Sequence, residues 1–250
     1  MNILLTNDDG IYADGLLALF REIRTMGTVV VVAPDSQRSS VGHGITLENP
    51  IAVRKIKTKT GVSGIGISGT PADCVKFALK KVLKVKPDIV VSGINLGPND
   101  GCSVFYSGTV AAAREASLHG IPAIAFSLDT FVKPDFCYGA KFAKKIIKCV
   151  LANGLPKETF LSVNIPHLPE SKIKGVKITR QGKAPILTRF IKICGGKKSL
   201  SFLMSGDTPK REKNHQIDTV ALSQGYVTVT PLQNDLTNYC ALKDLKKWCL

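Results

Sequence analysis

The stretch NILLTNDDG, Asn2 to Gly10, decides how the rest of the chain reads. Asn2 to Thr6 is an apolar run of strand length that ends abruptly in an amide, two adjacent carboxylates and a glycine. An open parallel sheet presents such an edge at the carboxyl ends of its strands, which is where these sheets collect their ligands. Successive side chains of a strand alternate faces, so Asp8 and Asp9 reach one ion only where the backbone has left the strand, and Gly10 permits that turn. Taken alone, the pair reads equally well as a helix cap beside a solvated acid.

Outward from this stretch, helix-like and strand-like segments alternate. Gly15 to Met26 carries Leu16, Leu17, Leu19, Phe20 and Ile23 on one side and Arg21 and Arg24 on the other, which predicts an amphipathic helix. Val29 to Ala33 is a β-branched strand stopped by Pro34. Ile51 to Lys57 and Val62 to Ser68 read as a strand pair, residues 72–84 as a helix, Asp88 to Ser92 as a buried strand, and Gly108 to Gly120 as an alanine-rich helix with a glycine stop. A strand at Pro122 to Phe126 and a helix at Phe136 to Leu151 follow.

Beyond residue 155 the pattern turns to strands, at Phe160 to Ile165, Val176 to Thr179 and Tyr226 to Thr230, around a polar stretch (181–214) to which no secondary structure is assigned. The expected class is therefore α/β: a Rossmann-like parallel-sheet core with helices on both faces. Residues 1–155 carry the site, and residues 156–250 complete the core and add a β-rich extension, in one structural domain overall.

Composition narrows the function. The 250 residues are 44% apolar with a mean hydropathy of +0.11, enough to bury a full core. No run reaches the roughly 18 apolar residues of a membrane span, and the N-terminus has no leader pattern, so a cytoplasmic address is expected. The seven cysteines stand singly, without zinc spacing, and read as reduced thiols. Of the +15 net charge, residues 1–125 carry 13 − 10 = +3 and residues 126–250 carry 21 − 9 = +12. These cations are dispersed and not interleaved with aromatics, so a nucleic-acid partner is not expected.

Chemistry gathers at three strand ends: Asn7 to Gly10, Pro34 to Ser40, and Ser92 to Asn95. Asp8, Asp9, the Ser39 hydroxyl and the Asn95 amide oxygen make an all-oxygen set suited to one Mg2+ or Mn2+ ion. Two adjacent carboxylates repel unless a cation or shared proton compensates. Ser107, Gly108 and Thr109 open a helix whose free N–H groups suit phosphate, and the Gly97 to Gly101 turn, with Asn99, could wrap the same site. Ser40 belongs to the Ser39 loop, and His43 is the one histidine expected nearby, a candidate acid for a leaving group. An ordinary N-cap at Ser107 explains that motif equally well.

At these residues the chain resembles the stationary-phase survival protein SurE family of metal-dependent nucleotidases. The segments that carry the resemblance are ILLTNDDGIYADGL from Ile3, APDSQRSSVGHGIT from Ala33, SGTPADCVKFAL from Ser68, VSGINLGPNDG from Val91, YSGTVAAAREA from Tyr106 and GIPAIAFSL from Gly120. VNIP from Val163, GDTP from Gly206 and VTVTPL from Val227 extend it through most of the chain. The resemblance implies that Asp8, Asp9, Ser39 and Asn95 ligate the metal. It also implies hydrolysis of nucleoside 5′- or 3′-monophosphates, sometimes short polyphosphate, and dimers or tetramers that exchange a C-terminal hairpin. The roles expected from the residues are Asp8, Asp9 and Asn95 in catalysis, with Ser40, His43, Asn99, Ser107, Gly108 and Thr109 around the phosphate. Two rival readings are a nucleoside hydrolase and a non-catalytic nucleotide- or nucleic-acid-binding module.

Overall fold

The computed structural model describes residues 1–59, 61–195, 200–207 and 212–248. The first strand, β1 (Asn2–Thr6), is buried along four of its five residues and pairs in parallel with both β2 (Thr28–Pro34) and β5 (Ile89–Leu96). Between them in the chain lie helix α1 (Asp14–Ile23), the strand pair β3 (Val53–Lys57) and β4 (Ser63–Ile67), and helix α2 (Pro71–Phe77). Then come α3 (Gly108–Leu118), β6 (Ala123–Asp129), α4 (Cys137–Asn153), β7 (Thr159–Pro166) and β8 (Val176–Ile178). The ribbon β9 (Leu187–Gly195) and β10 (Leu200–Asp207), α5 (Asp218–Ser223), β11 (Val227–Gln233) and α6 (Tyr239–Leu245) complete the described elements.

The main sheet runs β3-β4-β2-β1-β5-β6-β7-β11-β8. Its centre is parallel, and only the β3–β4 and β7–β11 pairs are antiparallel. From β1 the chain first builds toward β2 and β4, then crosses to β5 and builds the other way. The strand order therefore reverses beside β1, which opens a crevice at the carboxyl ends of β2, β1 and β5.

Each face is closed by a helix pair. Leu16, Leu19 and Ile23 of α1 share one cluster with Phe142 and Ile147 of α4. Val75 of α2 and Val110, Ala113 and Ala116 of α3 share the other. The small alanine side chains let α2 and α3 lie close together over Val32 and Val90.

The element boundaries differ from expectation where tertiary contacts intervene. The α1 helix stops at Ile23 because the chain must turn at Gly27, where any Cβ would stand 2.3 Å from the Met1 carbonyl oxygen, and Thr28 N–H then bonds that oxygen at 2.9 Å. The expected 72–84 helix is α2 followed by a wider π-type turn over Ala78–Val82. The unassigned 181–214 stretch supplies the β9–β10 ribbon, a separate two-stranded sheet. Part of the GDTP motif and Cys249 lie outside the described residues. No described helix is long and apolar enough to cross a membrane.

Candidate metal centre

The turn after β1 is built by Asn7. Its buried side chain accepts from Gly10 N–H at 3.2 Å and donates to Gly10 O at 2.9 Å, and Gly10 takes φ +101°. The backbone thus leaves the strand before the two carboxylates, and Asp8 and Asp9 take different neighbours. Asp8, 4% exposed, accepts from the Thr109 hydroxyl at the start of α3. Asp9, half-buried, accepts from Leu96 N–H at 3.1 Å.

Those contacts tie the three strand ends together. Arg38 N–H bonds the Asp8 carbonyl at 2.7 Å, so Ser39 follows directly from a residue fixed to Asp8, and its hydroxyl accepts from Gln37 Nε2 at 2.8 Å. Asn95 immediately precedes the residue fixed to Asp9. Its side-chain nitrogen donates to Gly97 O at 2.8 Å, so the amide oxygen is the end not used by that bond. Asp8 and Asp9 after β1, the exposed Ser39 after β2 and Asn95 near the end of β5 thus belong to segments tied to one another at the sheet's reversal point.

Electrostatics marks the same place. Burial pushes the Asp8 carboxyl up to about 6, against the hydrogen bond from Thr109, and the Asp9 charge adds to the rise. Burial raises Asp9 as well, against the bond from Leu96 N–H. Among the described residues no lysine, arginine or histidine pairs with either acid. A buried carboxylate pair without a cation fits a divalent ion, and two acids with hydroxyl and amide oxygens are hard ligands. No group of three His, Cys, Asp or Glu side chains is arranged to hold a metal among the described residues.

The start of α3 closes one wall. Ser107 is its N-cap and accepts from Val110 N–H at 3.1 Å. A Cβ on Gly108 would stand 2.8 Å from Asp8 Cβ and 3.0 Å from its Oδ2, so only glycine lets the positive helix end approach this acid. Thr109 is fully buried and turned onto Asp8.

The remaining predicted residues divide. Ser40 is exposed beside Ser39 and takes a left-handed backbone, φ 60°, which redirects the loop. His43 borders the cleft that also contains Ser107. Asn99, expected at the phosphate, is buried: its amide nitrogen donates to Ser127 at 2.8 Å and its backbone bonds Asn164 and Ser162. It braces the 97–101 turn against β6 and β7, because a buried amide needs partners.

Two residues escaped the sequence reading. Asn7 was visible as an amide placed to close its own turn on Gly10. Glu115 was visible as an acid inside an alanine-rich helix; it is 3% exposed and contacts His43 at 2.9 Å, Lys76 at 2.7 Å and His119 at 3.0 Å. Burial opposes its charge, but the bonds from His43 and Lys76 outweigh this and hold the carboxyl down at about 2.

The family described as "Survival protein SurE" matches residues 3–187. The protein named 5'-nucleotidase SurE from Chlorobium chlorochromatii is 45% identical over 249 residues, spanning 100% of this chain and 92% of the relative. Its namesake from Syntrophobacter fumaroxidans is 40% identical over 250 residues and 100% of both chains. The crystal structure of the SurE protein from Aquifex aeolicus superposes with a TM-score of 0.86 at 42% identity, covering 98% of each chain. The chain belongs to the SurE family.

Proposed function

We propose that this chain is a 5'-nucleotidase, hydrolysing nucleoside 5′-monophosphates to nucleoside and phosphate, with 3′-monophosphates and short polyphosphate as further substrates. The observation that carries the reading is the adjacent acid pair of buried Asp8 and half-buried Asp9, without a cationic partner among the described residues, where the sheet order reverses. The name shared by the relatives from Chlorobium and Syntrophobacter supports the same activity.

Asp8, Asp9, Ser39 and Asn95 would hold one divalent ion, Mg2+ or Mn2+. Such an ion, when bound, supplies positive charge to a phosphate oxygen and lowers the pKa of a coordinated water. The protein's share is preorganisation. Thr109 and Leu96 N–H fix the two carboxylates in different directions, and the Gly97 carbonyl fixes the Asn95 amide. The start of α3, with Ser107, Gly108 and Thr109, offers its positive end to a phosphate oxygen, and Ser40 and His43 line the approach. With both carboxylates committed to cation binding, water rather than an aspartate attacks phosphorus.

The exposed apolar β9–β10 ribbon supports a homodimer or tetramer. The free thiols of Cys74, Cys102, Cys137, Cys149 and Cys240 support a cytoplasmic address. Manganese binding followed by electron paramagnetic resonance tests the ligand set. One Mn2+ per chain is expected, with binding lost in Asp9→Asn; an Asp9→Asn protein that binds Mn2+ as tightly as wild type overturns it.

A further inference from the structure

Glu115 sits in the middle of α3, 3% exposed, yet both of its oxygens are engaged from three separate elements. Oε1 receives Lys76 of α2 at 2.7 Å and His119 at the end of α3 at 3.0 Å. Oε2 meets only Nε2 of His43, at 2.9 Å, among the described residues. Lys76 alone would suffice to neutralise a buried carboxylate. The second oxygen is thus turned to a histidine that comes from the metal-ligand loop, not from either helix.

That loop is fastened at every other point as well. Gly42 N–H bonds Tyr106 O at 3.0 Å, Thr70 donates to Gly44 O at 2.7 Å, and Thr46 gives two hydrogen bonds to Asp73. His43 and Ser107 both line a cleft of about 370 Å³; the residue before His43 is bonded to the residue before Ser107, and Thr109, two residues beyond Ser107, reaches Asp8. The loop needs no further anchor to stay folded, so the contact with Glu115 acts on the ring itself.

We propose that Glu115 is a positioning residue that fixes the His43 imidazole by Nε2, so that Nδ1 faces the phosphate ester and His43 is the acid that protonates the leaving oxygen. An ionised carboxylate only accepts hydrogen bonds, so Nε2 must carry a proton and Nδ1 is the nitrogen left for the substrate. In the step itself a water oxygen bonds to phosphorus as the bond from phosphorus to the nucleoside oxygen breaks. That oxygen keeps the electron pair and takes the proton from Nδ1 of the protonated ring. The proton shed by the water returns to His43 through solvent, so the ring is unchanged over a turnover. The inference rests on the phosphomonoesterase reading above.

The test compares two leaving groups in the intact, metal-loaded protein: a nucleoside 5′-monophosphate, whose alkoxide needs a proton, and p-nitrophenyl phosphate, whose phenolate does not. Glu115→Gln and His43→Gln are each expected to lower kcat on the nucleotide at least about 30-fold more than kcat on p-nitrophenyl phosphate, with KM for the nucleotide within about threefold. The double variant should lose no more than His43→Gln alone. Equal losses on both esters, or additive losses, overturn the proposal. Nitrogen-15 NMR of the wild-type imidazoles needs neither turnover nor a variant that folds: His43 is expected as the Nε2–H tautomer, and a spectrum showing the Nδ1–H tautomer contradicts the arrangement. A wild type with that tautomer that releases no phosphate from either ester would remove the phosphomonoesterase reading, and His43 as acid with it, while leaving Glu115 as the residue that orients the ring.

Discussion

The Thr109 hydroxyl donates to the Asp8 carboxylate across 101 residues of chain, joining the start of α3 to the end of β1. This bond favours the charged carboxylate, whereas burial opposes it and holds the metal-free group at about 6. Protons and metal therefore compete at Asp8. The apparent affinity for Mn2+ should rise with pH up to and through about 6, and Thr109→Val should move that rise to higher pH, because removing the donor leaves burial unopposed. Titrations from pH 5 to 8 check it; a wild-type curve that does not change with pH contradicts it.

Asp8→Asn is expected to separate stability from activity. The folded-state carboxyl titrates near 6 against an ordinary value of 3.8, so the metal-free fold pays for the charge as pH rises through that interval and carries the full penalty above it. Above pH 7 in chelator, Asp8→Asn should be as stable as wild type or more so, by up to about 3 kcal/mol, while Mn2+ no longer raises its Tm. A variant less stable than wild type in chelator would mean that the acid is paired within the protein.

Gly108→Ala inserts a methyl group 2.8 Å from Asp8 Cβ and 3.0 Å from Pro71 Cγ. The acid or the helix start must move, at a cost of about 1–3 kcal/mol for overpacking, and activity should fall at least tenfold if the displaced Asp8 belongs to the proposed metal set. Wild-type kcat in Gly108→Ala would disprove the tight contact.

Glu115 sets an acid limit on the fold. Its carboxyl is held at about 2 against an ordinary 4.5, so its contribution is complete above 4.5 and is lost as pH falls from there toward 2. The Tm difference between wild type and Glu115→Gln should therefore be constant above about pH 5 and shrink below 4.5. A difference that does not change between pH 3 and 7 contradicts the ionised assignment.

The β9–β10 ribbon exposes apolar side chains on both faces: Phe190 pairs with Met204 on one, Ile191 with Leu203 on the other, and all four are more than half exposed. A lone two-stranded ribbon is marginal in water, so a second copy of the chain should cover it. Light scattering is expected to report a dimer or tetramer for wild type and a smaller species for Phe190→Glu combined with Leu203→Glu. A monomeric wild type removes this role.

Much of this was legible in the sequence because local chemistry and the fold agreed there. The β-branched run ending at Pro34 and the apolar run ending at Asn7 became the central strands β2 and β1, and the acids, Ser39 and Asn95 lie where strand ends must gather in a parallel sheet. Asn99 shows what a local pattern leaves open: an amide in a polar turn reads alike whether it faces ligand or core, and its bonds to Ser127 and Asn164 come from distant strands. Glu115 shows in the sequence only as an acid in an alanine-rich helix with His119 four residues on; its partners His43 and Lys76 lie 72 and 39 residues away, beyond any local pattern. The ribbon could not be assigned because an alternation without a polar face gives no period to distinguish strand from loop.

The most direct measurement is phosphate release from a panel of nucleoside 5′- and 3′-monophosphates and short polyphosphate, in Mg2+, Mn2+ or chelator, beside Asp9→Asn. A 5'-nucleotidase built on this site releases phosphate from nucleoside 5′-monophosphates only with metal, and Asp9→Asn loses at least about a thousandfold of that rate. Release of free base without phosphate, no release from any substrate, or equal rates for wild type and Asp9→Asn would contradict it.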